Sequence, residues 1–185
     1  MDFYLVIIIA LAVLATADLV VGVSNDAVNF LNSAIGSKAI SFRTVMIIAS
    51  LGVAAGAIFS SGLMEVARKG IFNPDLFYFD EIMVIFMAVM LTDILLLDFF
   101  NTLGMPTSTT VSIVFELLGA AVAISIVKIY WGNADESLYE FINVSKASQI
   151  ILGILLSVFI AFTVGAVVQY ISRLILTFHF KDNPK

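Results

Sequence analysis

TVMIIASLGVAAGAIFSSGLM, residues 44–64, runs for 21 positions without one charged side chain. A helix needs roughly 20 apolar residues to cross the hydrocarbon core of a bilayer, and this stretch has that length. Four more apolar stretches flank it, at approximately 3–21, 82–103, 109–130 and 148–176. Hydrophobic residues make up 61% of the chain and charged residues 12%, with a mean hydropathy of +1.09. A soluble domain is about 45–50% apolar and about 25% charged. The reading is an all-α, multi-pass protein of the cell membrane with about five transmembrane helices, one or two of them broken or re-entrant. Asp2 and the lack of a basic leader or small-residue cleavage site argue against a signal peptide at the start.

The rest of the composition narrows the classes further. With no cysteine, disulfides and thiolate metal sites are excluded. The net charge of −5 is scattered, and no basic run suited to nucleic acid occurs. No low-complexity linker interrupts the chain, so residues 1–185 read as a single transmembrane domain. If all five stretches cross, the distribution of Lys and Arg favours an outside N-terminus and a cytoplasmic tail bearing Arg173, Lys181 and Lys185. Gly52, Gly56 and Ser60 recur every four residues, as do Gly153, Ser157, Ala161 and Gly165. Small residues so spaced let helix backbones approach closely in lipid, within the chain or across a homodimer.

Against this apolar background, GVSNDAVNFLNSAIGS (22–37) is a polar break. Polar groups in or beside a bilayer need partners, so such a cluster marks a site or an aqueous path. If 25–37 continues as helix, Asp26, Asn29, Ser33 and Ser37 fall on one face. Their oxygens suit Na⁺ or a proton, while the amide and hydroxyl donors could hold an oxyanion. Gly22 and Gly36 bracket the segment as if a helix were interrupted there. The plainer reading is an interfacial loop leading into a short helix capped by Ser24, Asn25 or Asp26.

GMPTSTT (104–110) is the second polar segment. Pro106 is expected in the first turn of a helix, with Thr107, Ser108, Thr109 and Thr110 crowding hydroxyls around free backbone N–H groups. Such a helix end is a ready anion site, and interrupted helices of this kind form the substrate sites of many secondary transporters. A capped helix start in a simple turn is the alternative. Asp93 and Asp98 point to different sides of a helix, whereas Glu116 shares a face with Thr109 and Ser112. Glu116 is therefore a candidate auxiliary group for an ion or a proton. No buried Lys or Arg is available to hold an anion by charge, which favours a cation bound alongside it.

Ser24-Asn25-Asp26-Ala-Val-Asn29, followed by Ser33-Ala-Ile-Gly36-Ser37-Lys-Ala, resembles the GANDVAN…GS-A signature of the inorganic phosphate transporter family. Gly104-Met-Pro-Thr-Ser-Thr-Thr-Val-Ser-Ile-Val resembles that family's GMPxSTTHSIVG segment. The similarity runs through roughly residues 15–125. It implies sodium- or proton-coupled symport of phosphate through two inverted repeats, each supplying one motif of each type. By resemblance, Asn25, Asn29, Ser108, Thr109 and Thr110 would bind phosphate. Asp26 and Asn29 would serve the cation, with Asp26 the Na⁺ ligand if sodium is the coupling ion; Ser33 and Glu116 are cation candidates from their helix-face spacing rather than from the resemblance. No further cofactor is implied.

Three departures stand out. Gly22 lies one residue further from Asn25 than the motif glycine, Val111 takes the usual His position, and Phe115 and Glu116 replace small residues. Only one copy of each motif is present, so the second repeat is expected in a longer chain, with the tail FHFKDNPK reading as the start of a linker. Pairing of two copies is the alternative. Competing functions are transport of another oxyanion such as sulfate, or a structural membrane subunit. An intramembrane enzyme has little support, because the single histidine, His179, sits in the tail and no nucleophile–base pair occurs.

Overall fold

The computed structural model describes residues 3–38, 40–59, 70–132 and 136–179. Helix α1 spans Phe3–Ser37 and α2 spans Phe42–Ile58. A 3₁₀ turn at Pro74–Leu76 precedes α3, Phe79–Thr102, and then follow α4, Thr109–Trp131, α5, Leu138–Phe141, and α6, Val144–His179. Among the described residues, four segments are long and apolar enough to cross a membrane: Phe3–Ala27, Phe79–Thr102, Thr109–Trp131 and Val144–Ile175. Helix α2, with 17 residues, is apolar but shorter. The chain is an all-α, integral multi-pass membrane protein. Ser60 of the small-residue series, together with Arg68, Lys69, Asp135, Lys181 and Lys185, lies outside the described residues.

The chain divides into two compact units, residues 1–144 and 145–185. The second unit is built on α6, which carries the Gly153–Gly165 series. In the first, α1 packs along α3, α3 along α4, and α2 folds back against α1. Helices α1 and α3 run parallel in a steady register. Tyr4 meets Phe79 at one end, with ring centroids 5.9 Å apart, and Asn25 meets Asn101 at the other. Helix α4 returns antiparallel, so the polar segments 22–26 and 101–110 gather at one end of the three-helix group.

At the opposite end, two loops are stitched together by Asn73 N–H to the Phe141 carbonyl (2.9 Å) and Asn143 N–H to the Ile71 carbonyl (3.0 Å). Phe72, Phe77 and Phe141 pack edge-on beneath them. Lys128 closes this end, with Nζ 2.8 Å from Glu81 and the ammonium 4.6 Å from the Tyr78 ring centre. This half of the group is a packed structural cap.

The expected break at 22–37 is not there: α1 continues through it. The segment contains no proline, and Ser24 satisfies its hydroxyl on the Val20 carbonyl at 2.7 Å, within the helix. Gly36 lies inside the helix, and the chain reverses at Lys38, which takes a left-handed φ of 54°. Ser41 then caps α2 by accepting from Thr44 N–H at 3.3 Å. Among the described residues, nothing packs closely on the α2 glycines. A methyl at Gly52 or Gly56 would meet nothing within 4 Å among the described residues.

Candidate functional site

The turn between α3 and α4 is shaped by glycine. Gly104 has φ +68°, its N–H bonds the Asn101 carbonyl, and Met105 N–H bonds the Phe100 carbonyl at 2.9 Å. These two bonds form a Schellman ending, which needs a left-handed residue at this point. Pro106 does not enter the first helical turn as expected. It lies in the extended link before Ser108, which takes the N-cap position of α4 and accepts from Val111 N–H at 3.4 Å. The cap falls on Ser108 because its hydroxyl reaches the free N–H three residues on.

Asn25 binds this turn to α1. Its Oδ1 accepts the Thr107 backbone N–H at 3.1 Å, and its Nδ2 donates to Asn101 Oδ1 at 2.7 Å. The residue is 2% exposed. One turn of α1 thus grips both the end of α3 and the approach to α4. Beside it, Thr109 Oγ1 donates to Asp26 Oδ2 at 2.8 Å. Gly22 permits the approach, since a Cβ there would lie 3.5 Å from Thr109 Cγ2 and 3.7 Å from Leu97 Cδ1.

The expected site residues therefore divide by place. Asn25, Asp26, Ser108 and Thr109 come together at this junction, with Thr110 exposed next to them. Asn29 and Ser33 continue the Asp26 face along α1 and are exposed. Glu116 lies seven residues along α4 from Thr109, about 10 Å at helical rise. It accepts the Ser112 hydroxyl at 2.8 Å. An open cleft of about 440 Å³ joins the two levels, lined by Thr107, Ser108, Val111, Ser112, Phe115 and Glu116 together with Thr92 and Leu96. All three positions that depart from the phosphate-transporter motif on α4 (Val111, Phe115 and Glu116) face this cleft.

Two acids on different helices meet deeper in the unit. Asp93 is 1% exposed and lies beside Asp18 of α1, while Asp98 of its own helix is exposed. The signal was the register of α1 along α3, which a one-dimensional pattern does not carry. Among the described residues, no group of three or more acidic or histidine side chains has metal-holding geometry.

Arranged this way, the junction offers an oxyanion hydroxyls and a helix N-terminus on one side, and a carboxylate for a cation on the other. The model of the phosphate transporter family matches residues 22–184. Three relatives carry the name "Putative phosphate permease". That of Thermococcus kodakarensis is 30% identical over 80% of this chain and 33% of its own length. Those of Helicobacter pylori and Mycobacterium bovis are 29% and 27% identical, again over 80% of this chain, and over 27% and 26% of their own lengths. The chain thus spans between about a quarter and a third of the relatives it matches. No solved structure matches it at a significant level.

Proposed function

Because the chain belongs to the phosphate transporter family, we propose that it supplies one motif set of a cation-coupled carrier for inorganic phosphate. In this reading the phosphate docks where α4 begins, against the hydroxyls of Ser108, Thr109 and Thr110 and the free N–H groups of the first turn. Asn29 and Ser33 line the approach along α1. Asp26 carries the coupling charge, Na⁺ or a proton, and this cation offsets the anion in a region without a basic side chain. Asn25 acts as the clamp that keeps the two motifs in register. The second motif set comes from the remaining length of the transporter or from a second copy of this chain.

The observation that carries the reading is the 2.8 Å bond from Thr109 to Asp26. It joins the carboxylate of one motif to the helix end of the other, across 83 residues of sequence. Such a contact lets cation occupancy change the donors presented to the anion, which a coupled carrier requires.

The test is radiolabelled phosphate uptake into proteoliposomes by the full-length protein, with a Na⁺ gradient, a pH gradient or neither. Wild type should accumulate phosphate under one gradient, and Asp26→Ala and Ser108→Ala should each abolish the accumulation. Unchanged uptake in both variants would reject the site. Uptake competed more strongly by sulfate than by unlabelled phosphate would reassign the substrate.

A further inference from the structure

Asp18, Asp93 and Glu116 project from three different helices into the interior of the first unit. Asp93 is 1% exposed, and its Oδ1 is buried without a hydrogen-bond partner. Asp18 Oδ1 and Glu116 Oε2 are likewise buried and unpartnered. The register that sets Tyr4 against Phe79 and Asn25 against Asn101 puts Asp18 and Asp93 at one level of the α1–α3 seam, with Glu116 near both on α4. The group lies about 10–12 Å deeper than the Asp26–Thr109 contact, counting seven to eight residues along α4 or α1 at helical rise.

We infer that Asp18, Asp93 and Glu116 form a proton-carrying site, distinct from the Asp26 junction and opening through Glu116 onto the same cleft. This deepens the transport reading and rests on it, naming the proton as a coupling ion. Carboxylates side by side repel each other unless a proton neutralises one of them and is shared between their oxygens. Asp93 is fully buried, so its charge beside those of the half-buried Asp18 and Glu116 would need compensation that the surroundings do not supply. Among the described charged groups of this unit, Lys128 is held by Glu81 at 2.8 Å, twelve positions beyond Glu116. Lys38 and Arg43 belong to the α1–α2 turn, Asp26 is engaged by Thr109, and Asp98 is exposed.

A proton fits the site better than a metal ion. A proton is shared by two oxygens, whereas a metal ion needs several ligands at once, and the described acids do not reach that geometry. Ser112 holds one oxygen of Glu116 and leaves the other to the interior. Because Glu116 also lines the cleft with Thr107 and Ser108, a proton can pass between the cleft and the buried pair by movement of this one side chain.

The test is infrared difference spectroscopy on the full-length protein in lipid vesicles, in parallel with uptake assays. At neutral pH, wild type should show the carbonyl stretch of a protonated carboxylic acid, shifted in deuterium oxide and indifferent to replacing K⁺ with Na⁺. Asp93→Asn should remove that band, and pH-gradient stimulation of uptake should fall roughly tenfold, within the usual span of coupling between two ligands. Absence of the band in wild type would overturn the proposal, and so would its loss on adding Na⁺, which would assign a metal cation instead. If Asp93→Asn fails to fold, Glu116→Gln supplies the assignment, since it should shift or remove the same band, and an unchanged band there would overturn the proposal. A band present in a protein that moves no phosphate would reject the transport reading and leave the proton site standing.

Discussion

Asn25 and Thr107 stand 82 residues apart in the chain and are joined by a 3.1 Å hydrogen bond from the Thr107 backbone N–H to the Asn25 side-chain oxygen. The bond matters because Thr107 belongs to the extended link, where no helical carbonyl is available to its N–H. A side chain from α1 does the work that secondary structure does elsewhere. The position of the α4 N-terminus, and with it that of Ser108 and Thr109, is therefore set by α1.

Replacing Asn25 with Ala removes both bonds of the clamp and leaves the Thr107 N–H and Asn101 Oδ1 without their partner. Stability should fall by about 1–3 kcal/mol, the usual cost of leaving buried polar groups unpaired. Thermal unfolding in detergent measures this loss. Asn25→Asp keeps the acceptor for Thr107 but loses the donor to Asn101 and places a second carboxylate beside Asp26. It should be better folded than the alanine variant and no better at uptake.

Thr109 separates the hydroxyl from the shape of the side chain. Thr109→Val keeps the β-branched packing against Gly22 and deprives Asp26 of its donor. Thr109→Ser keeps the donor and loses one methyl. Uptake should collapse in the valine variant and survive in the serine variant, while both remain folded by circular dichroism. Equal uptake in the two would show that the Asp26 contact has no part in transport.

How much of this could be read from the residues alone depends on the range of the interaction. The membrane helices were legible because each is a long apolar run that needs no knowledge of its neighbours. The relation of Ser112 to Glu116 was also legible, since both lie on one helix at i and i+4. The polar run at 22–37 could be read as continued helix or as an interruption; α1 continues through it, and the back-bond from Ser24 to Val20 that accommodates the hydroxyl there is not visible in the sequence. The meeting of Asp18 with Asp93 was not legible. Their meeting depends on the parallel register of α1 and α3, and parallel helices 75 residues apart leave no periodic trace in the sequence.

Gly104 tests the turn that delivers the second motif. Its φ of +68° puts any other L-residue in the left-handed region, at a cost of about 1–2 kcal/mol. Gly104→Ala should lower the unfolding temperature, and Gly104→Asn should lower it less, since Asn tolerates that conformation best. No atom lies within 4 Å of a Cβ built there. The loss is thus conformational rather than steric, and the order Gly, Asn, Ala is the outcome that distinguishes the two.

Gly22 offers the opposite case, in which backbone freedom plays no part and space decides. It sits within regular helix, facing Thr109 Cγ2 at 3.5 Å and Leu97 Cδ1 at 3.7 Å from an ideal Cβ. Both distances are ordinary van der Waals contact, so Gly22→Ala should fold and transport much as wild type does. Its stability should rise by up to about 1 kcal/mol through the better helix propensity of alanine. Gly22→Leu has no such room, because its added carbons must displace the start of α4. That displacement carries Thr109 away from Asp26 without touching either polar group. Uptake lost in the leucine variant and retained in the alanine variant would tie transport to the closeness of α1 and α4. Uptake lost equally in both would point to a need for glycine itself and remove the steric account.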